Sequence, residues 1–539
     1  MKKYILNILK FSFCIQFILI SSALFSPNTA VAESRQTYFC NDGLGKIPIQ
    51  QGGRVKPLYV HAREVLHYLI GSRSYQELSA VETYCVKSLE GMGLENDITL
   101  YAPVEHIDIR ELIGLEDGER IAYPDLAQHR DILIAEWRAI DLNTPYKKAL
   151  GGILNRIDLY QDIVNGRNWF LPEMTATEAH WVPLTSFLTE QKIIDARQHS
   201  DDPFNFVMLQ ANERYEQVVG TIHSLEYTYA KMRLPTVAMI ITLIGLAALT
   251  VSKGFKIGLS FAVLSVIIQT VYITLRIIIS GRAPITNMYE TVIFSGYAAL
   301  ILSMIIGYYR REKLLVYVGM MYSMMTLLMI NFAHGMLSPS IGPLVPVLRD
   351  NFWLSTHVTT IIIAYGAFAL SWVLANIILF KRKFSTVDPA EESYVCDLIY
   401  TCLKYGNILL FAGIILGGVW ADYSWGRFWG WDPKETWSLI VFTIYMAIIH
   451  GKYTSWIKNA RFIPLVAGAF MSVMMAWFGV NYILATGLHS YGFSEGGAIF
   501  LGSFFAIQTI YLIFTWPRDN NKDGGNGGQN SKNIENAPA

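Results

Sequence analysis

The chain predicts an all-α polytopic membrane protein. An export signal precedes a mainly helical soluble region, and about nine transmembrane helices come after it, with a tryptophan-rich loop on the outer face. Three observations lead there. Of 539 residues, 52% are hydrophobic and only 16% are charged. The apolar content is concentrated after Leu234, in runs long enough to cross the ~30 Å hydrocarbon core of a bilayer. Lys and Arg are abundant on alternate connections between those runs and scarce on the others, as the positive-inside bias requires. The formal net charge is zero, which argues against a nucleic-acid partner, since such proteins carry a basic footprint.

Residues 1–32 read as an export signal. Lys2 and Lys3 form the positive end, "ILKFSFCIQFILISSALF" the apolar core, and "NTAVAES" offers an A-x-A cleavage site after Ala32. An uncleaved first membrane helix is the rival reading, and either one exports the soluble region. Residues 33–233 form that exported region. "HRDILIAEWRAI" and "PYKKALGGILNRIDLYQDIVN" place apolar residues at helical steps. Cys40 and Cys85 are the only cysteines here, and they are either a disulfide or two thiols. The histidines at 61, 67, 106, 129, 180, 199 and 223 form no metal-ligand spacing and read as surface or packing residues.

The membrane domain, 234–515, divides into runs at approximately 234–252, 256–280, 290–309, 314–332, 356–380, 401–420, 436–452, 463–485 and 497–515. An exported N-terminus sends the first run inward. The connections then assigned to the cytoplasm carry Lys253 and Lys256, "RREK" from Arg310, "KRK" from Lys381, and Lys452, Lys458 and Arg461. The outer connections hold only Arg282, Arg349, Arg427 and Lys434. Cys396 and Cys402 fall near the cytoplasmic face and read as packing residues. Residues 516–539 form a Gly/Asn-rich tail expected to be disordered.

Four of the thirteen tryptophans fall within "WGRFWGWDPKETW", Trp425 to Trp437, on an outer connection. An interfacial aromatic belt explains Trp353, Trp372 and Trp420. It does not explain such close spacing, nor Gly426, Gly430 and the "DPKE" run beside them. "WDPKETW" also has the form of a helix start: Asp432 as N-cap, Pro433 in the first turn, Glu435 as capping-box partner.

The membrane domain has four histidines. His357 opens the fifth run and His489 lies between the last two, both on the outer face. His334 ends the fourth run, and His450 lies at the inner end of the seventh. A histidine in a membrane segment is either a functional group or an interfacial residue bonded to a carbonyl or headgroup. Neutral imidazole ligates haem iron. Tryptophan faces can stack on a porphyrin, and Arg427 and Lys434 can pair with its propionates. A bis-histidine haem site with an aromatic floor therefore suits this outer face.

Several motifs occur together: "GGVWADYS" running into "WGRFWGWDPKETW", with "PITNMYET" and "WLSTHV" before them and "IIHGK" and "GLHSYG" after. This set resembles the WWD signature of haem-handling membrane proteins. It is most similar to the cytochrome c synthase subunit of system II cytochrome c biogenesis. The resemblance covers roughly Pro284 to Gly492. It implies a bacterial inner-membrane protein that receives haem b from the cytoplasmic side and presents it outside. There, as a subunit of the synthase (haem lyase), it promotes attachment to the C-x-x-C-H motif of an exported apocytochrome c.

Carried over, His357 and His489 are the outer iron ligands and His450 the inner histidine of the uptake site. On the residues themselves, Trp425, Trp429, Trp431 and Arg427 read as the outer haem platform, Trp437 serves either the platform or the next helix, and Asp432 is first an N-cap with a haem contact left open. His334 has no counterpart and reads as structural. Fused synthases carry a second membrane histidine in a preceding half. No histidine occurs here between Leu234 and Ala333, which implies a separate membrane subunit as partner. "GKIPIQQGGRVKPLYVHAREVL" resembles a segment beside this module in fused synthases and carries no role. Two rivals use the same residues: a haem carrier without ligation activity, and a b-type electron-transfer subunit. The latter class usually holds its haems inside a helix bundle, which outer-loop histidines do not match.

Overall fold

The computed structural model describes residues 39–141, 144–250, 255–333, 335–343, 350–484 and 496–516. The expected export signal at residues 1–32, His334, His489 and the residues from 517 lie outside the described residues. The chain divides into two compact units, one of residues 39–47 with 61–218, the other of residues 48–60 with 219–516.

The first unit is mainly helical. Its longest helix, Pro145–Val164, starts on Thr144, whose side chain accepts from the Lys147 N–H, and buries Leu150, Ile153, Ile157 and Tyr160 along one face. Small antiparallel hairpins punctuate the helices, the largest pairing Phe170–Met174 with Ala179–Pro183. Cys40 and Cys85 form a disulfide, with Cα atoms 5.6 Å apart. Both are buried, and Cys85 lies in the helix Ala80–Glu90, which opens with a Ser79/Glu82 capping box. His61 is also buried: its Nε2 lies 2.9 Å from Asn168 Oδ1 and 3.1 Å from the Tyr84 hydroxyl. This is the packing role expected of it.

The second unit opens with a hairpin, β1 (Pro48–Gln51) and β2 (Arg54–Pro57), turned by Gly52 and Gly53 in the left-handed region. This is the "GKIPIQQGGRVKPL" segment. Arg54 makes a bidentate pair with Glu226, at 2.8 Å for each bond, on helix α1 (Ile222–Met232). Among the described residues, nine long helices follow: α2 (Leu234–Thr250), α3 (Phe255–Ser280), α4 (Met288–Arg310), α5 (Lys313–Phe332), α6 (Thr359–Phe384), α7 (Pro389–Trp425), α8 (Pro433–Tyr453), α9 (Asn459–Met474) and α10 (Gly497–Thr515).

Among the described residues, eight helical segments are long and apolar enough to cross a membrane, so the chain is a multi-pass membrane protein. The helix expected at 436–452 is present as α8, with 21 residues, but is not one of the eight. Its physical distinction is composition: Lys434, Glu435, Ser438, Thr443, His450 and Lys452 dilute its apolar run. At about 1.5 Å per residue, α7 is some 55 Å long and outreaches a bilayer core.

Helix α6 is central, packing on α4, α7 and α9. Its buried stripe includes Phe368, Leu370, Leu374 and Ile378, and Phe368 stacks flat on Tyr445 of α8 with ring centroids 4.0 Å apart. Helix α10 is the least enclosed and presents Ile499, Ile507, Ile510 and Ile513 outward, as a lipid-facing helix does. Cys396 and Cys402 are buried thiols on α7, again packing residues.

Candidate haem site

The tryptophan loop is short because helices close in on it from both ends. α7 runs through Trp425 and stops where Gly426 adopts φ +68°, its N–H bonding to the Asp422 carbonyl. α8 begins on Asp432, whose carboxylate accepts from the Lys434 N–H at 2.8 Å. Glu435 completes the capping box: its Oε2 accepts from the N–H groups of Asp432 (3.1 Å) and Gly430 (2.8 Å). "WDPKETW" is therefore a helix start. Trp431, just before it, lies in the left-handed region at φ +57°, a conformation that costs a bulky residue free energy.

Beneath this loop is an open cavity with a mostly apolar lining. α4, α6, α7, α8 and the segment after α9 wall it. His357 lies in its lining, within a π-helical turn, Leu354–Val358, that leads into α6. Such turns recur at functional sites because the extra residue re-aims a side chain. His357 Nδ1 is 2.8 Å from the Gly413 carbonyl on α7. A carbonyl only accepts, so Nδ1 carries the proton, and in the neutral imidazole Nε2 then bears the lone pair. That is the tautomer a metal ligand needs, held by the kind of carbonyl that orients ligating histidines.

α7 makes this possible through a stripe at helical spacing, Gly413, Gly417 and Trp420. The His357 ring lies against Gly417, where a Cβ would come within 2.6 Å of Cε1 and 3.0 Å of Nδ1. Gly418 does the same for Phe428, whose ring would lie 2.5 Å from a Cβ there. Trp420 meets the imidazole edge-on, with centroids 5.9 Å apart. It is 4% exposed and lines the cavity, so the belt expected of it from sequence is not its environment. A small–x3–small stripe on a membrane helix signals close approach of a neighbour, and Gly413-x3-Gly417 was the clue to this contact.

The opposite wall is built by "PITNMYET". Asn287 caps α4, its side chain accepting from the Glu290 N–H at 2.9 Å. Glu290 is fully buried and paired with Arg276 of α3 at 2.7 Å. Its second oxygen accepts from the Thr286 N–H and hydroxyl, and Arg276 also donates to the Tyr229 hydroxyl and the Pro339 carbonyl. This network sets the backbone that presents Thr286, Asn287, Met288 and Thr291 to the cavity. A second π-helical stretch, Met475–Leu484, adds Trp477 and Asn481.

Of the residues singled out from sequence, the structure brings His357, Trp429, Lys434 and Glu435 together in this lining. Trp425, Trp431, Trp437, Arg427 and Asp432 lie outside it. Trp431 is 70% exposed and meets Trp429 edge-on. Trp437 packs on the hydrophobic core, and Arg427 is exposed, its guanidinium folded over Gly430. His450 is exposed near the far end of α8, its Nδ1 2.8 Å from the Met446 carbonyl. It stands about 18 Å along the helix from Ser438 in the cavity wall. His489 comes eight residues after Asn481 and is outside the described residues. Sequence reasoning missed Trp420, Phe428, Trp477 and Asn481. The cavity is lined chiefly by apolar side chains, with a histidine of the ligating tautomer. Two buried indole N–H groups, of Trp420 and Trp429, have no hydrogen-bond partner among the described residues. A flat apolar macrocycle with a metal centre and polar edge groups fits that donor set.

The family described as Cytochrome C assembly protein matches residues 285–489. A cytochrome c biogenesis protein CcsA of Guillardia theta is 31% identical over 275 residues, which are 46% of this chain and 90% of the relative. A second CcsA, of Gloeobacter violaceus, is 30% identical over 301 residues, 45% and 88% of the two chains. Protein NrfI of Wolinella succinogenes is 33% identical over 248 residues, 44% of this chain and 26% of the relative. The match begins at the cavity wall and takes in the π-helical histidine turn and the tryptophan loop. The chain belongs to the cytochrome c assembly family, as a membrane subunit of system II cytochrome c biogenesis.

Proposed function

We propose that this protein receives haem b from the cytoplasmic side of a bacterial inner membrane, holds it at the outer face and promotes its attachment to apocytochrome c. The observation that carries the reading is His357: a histidine fixed by Gly413 in the iron-ligating tautomer, inside an apolar cavity roofed by the tryptophan loop. His489 is the second axial ligand. It comes within eight residues of Asn481, a member of the same lining. Trp429 and Trp420 wall the macrocycle, while Trp425, Trp431, Trp437, Arg427 and Asp432 shape the loop above it.

In this reading α8 is a ninth span. Its 21 residues reach about 31 Å, the thickness of the hydrocarbon core. It then separates the outer tryptophan loop from His450 at the cytoplasmic end. His450 is exposed, which suits an uptake site shared with a separate membrane subunit.

The protein's contribution is placement. The vinyl groups are presented to the two cysteine thiols of C-x-x-C-H. Each S–H adds across a vinyl C=C: sulfur bonds one carbon, the proton goes to the other, and no group leaves. The addition is redox-neutral. The histidine of the motif then replaces one axial ligand, which releases product.

The test is coexpression of the chain and its partner with a C-x-x-C-H apocytochrome, in wild-type, His357→Ala and His489→Ala forms. Both substitutions are expected to lower bound haem and covalent holocytochrome. Normal values for both in either variant would falsify its ligand role. Bound haem in the wild type with no covalent product would leave a carrier.

A further inference from the structure

We infer that the Lys434–Asn481 corner of the cavity is a carboxylate-recognition subsite, taking a propionate of the bound tetrapyrrole. This rests on the proposed haem site and adds an orientation to it. Lys434 stands in the cavity lining one turn above Ser438, and its Nζ is 3.4 Å from Asn481 Oδ1. Asn481 is 2% exposed, and its amide nitrogen is committed to the Trp477 carbonyl (2.7 Å) and to Met288 Sδ (3.1 Å). The amide is thereby turned so that its oxygen meets the ammonium. Beside it, Trp477 Nε1 donates to Thr291 Oγ1 at 3.1 Å, and Thr291 in turn to the Met288 carbonyl. The neutral groups of this corner are thus bonded to one another, and the Lys434 ammonium, on which Asp432 also acts electrostatically, is anchored beside them.

The wall as a whole is rich in donors. It holds an ammonium and the two indole N–H groups of Trp420 and Trp429 that lack an acceptor among the described residues. The one carboxylate among the described residues of the lining, Glu435, is occupied by the N–H groups of Gly430 and Asp432. A donor-rich apolar cavity favours an apolar ligand with anionic acceptors. The peripheral acceptors of haem are its two carboxylates, and a carboxylate leaving water needs a charged partner. Arg427, the other cation of the loop, is exposed and outside the lining, so the role falls to Lys434.

The test uses the purified full-length chain in detergent, titrated with haem and with haem dimethyl ester, whose carboxylates are blocked. The wild type should bind haem about tenfold or more tighter than the ester, the scale of a charge-assisted hydrogen bond. Lys434→Gln should weaken haem binding by about that factor, leave the ester unchanged and so close the gap. Lys434→Arg should keep the preference. A wild type that binds both ligands equally overturns the inference, and needs no variant to fold. So does a Lys434→Gln chain with the wild-type ratio, or an Arg427→Gln chain that alone closes it. The haem-site reading fails separately, if His357→Ala leaves the binding of both ligands intact.

Discussion

Gly417→Ala puts a single methyl group against the proposed iron ligand. Its Cβ would lie 2.6 Å from His357 Cε1, 3.0 Å from Nδ1 and 3.2 Å from Nε2. Carbon atoms rest at about 3.5–4.0 Å, so the ring must retreat by roughly 1 Å. The contact is with the flat side of an imidazole already held at 2.8 Å by the Gly413 carbonyl. A retreat of that size stretches the bond beyond hydrogen-bonding range or turns the ring. Losing the bond costs about 0.5–1.5 kcal/mol, and relieving the overpacking about 1–3 kcal/mol. If about 1–2 kcal/mol of this appears as misplacement of Nε2, haem affinity falls by roughly fivefold to thirtyfold. Helix α7 should remain intact, because alanine is the better helix former. The assay is haem titration of the purified variant by absorbance, beside its circular dichroism and melting curve. A Gly417→Ala chain with wild-type haem affinity would refute the placement of His357 against α7. So would a loss of haem binding that merely tracks a loss of helix.

Three further outcomes are expected from the same geometry. Replacing Glu290 by Leu strands Arg276 in a buried site and should destabilise the membrane unit by about 3–5 kcal/mol. The detergent melting temperature reads this, and the paired Arg276→Met, Glu290→Met chain should recover part of it. A single variant as stable as wild type would contradict the pairing. The Cys40–Cys85 disulfide closes a separation of 45 residues, so Cys40→Ser with Cys85→Ser should cost about 2–4 kcal/mol. Faster proteolysis of the region before Leu234 would report it, and unchanged proteolysis would count against a stabilising bond. If α8 spans the membrane, Tyr423→Cys and Trp456→Cys, at exposed positions beyond its two ends, must label from opposite sides with an impermeant maleimide. Labelling of both from one side would remove the ninth span.

Local features were legible in the sequence because their physics is local. The apolar runs are long enough to be read as spans one at a time. Asp432, Pro433 and Glu435 cap α8 through bonds that reach no further than five residues. The span count became uncertain only at α8, whose polar residues serve the cavity and the far end of the helix and so weaken the hydropathy signal. Trp420 was misread because a tryptophan near a membrane surface looks the same in sequence whether it faces headgroups or a cavity. Arg427 and Lys434 both read as propionate partners from sequence, and only Arg427 was placed on the haem platform. The helix start separates them, placing Lys434 inside the cavity and leaving Arg427 outside.

The sequence by itself determined a multi-pass membrane protein, the helix start at Asp432 and, through its motifs, the family. Each depends on composition or on spacing within a few residues. Tertiary structure alone decided that His357 meets Gly413, Gly417 and Trp420 across 56 to 63 positions of chain, and that Asn481 reaches Lys434. It also decided that Cys40 and Cys85 are bonded. The physical reason is that partners far apart in sequence meet only on packing. The disulfide forms as the first unit folds, and the His357 and Lys434 contacts form only when α6, α7, α8 and the stretch after α9 close on one another, which depends on side chains small enough to let helices touch.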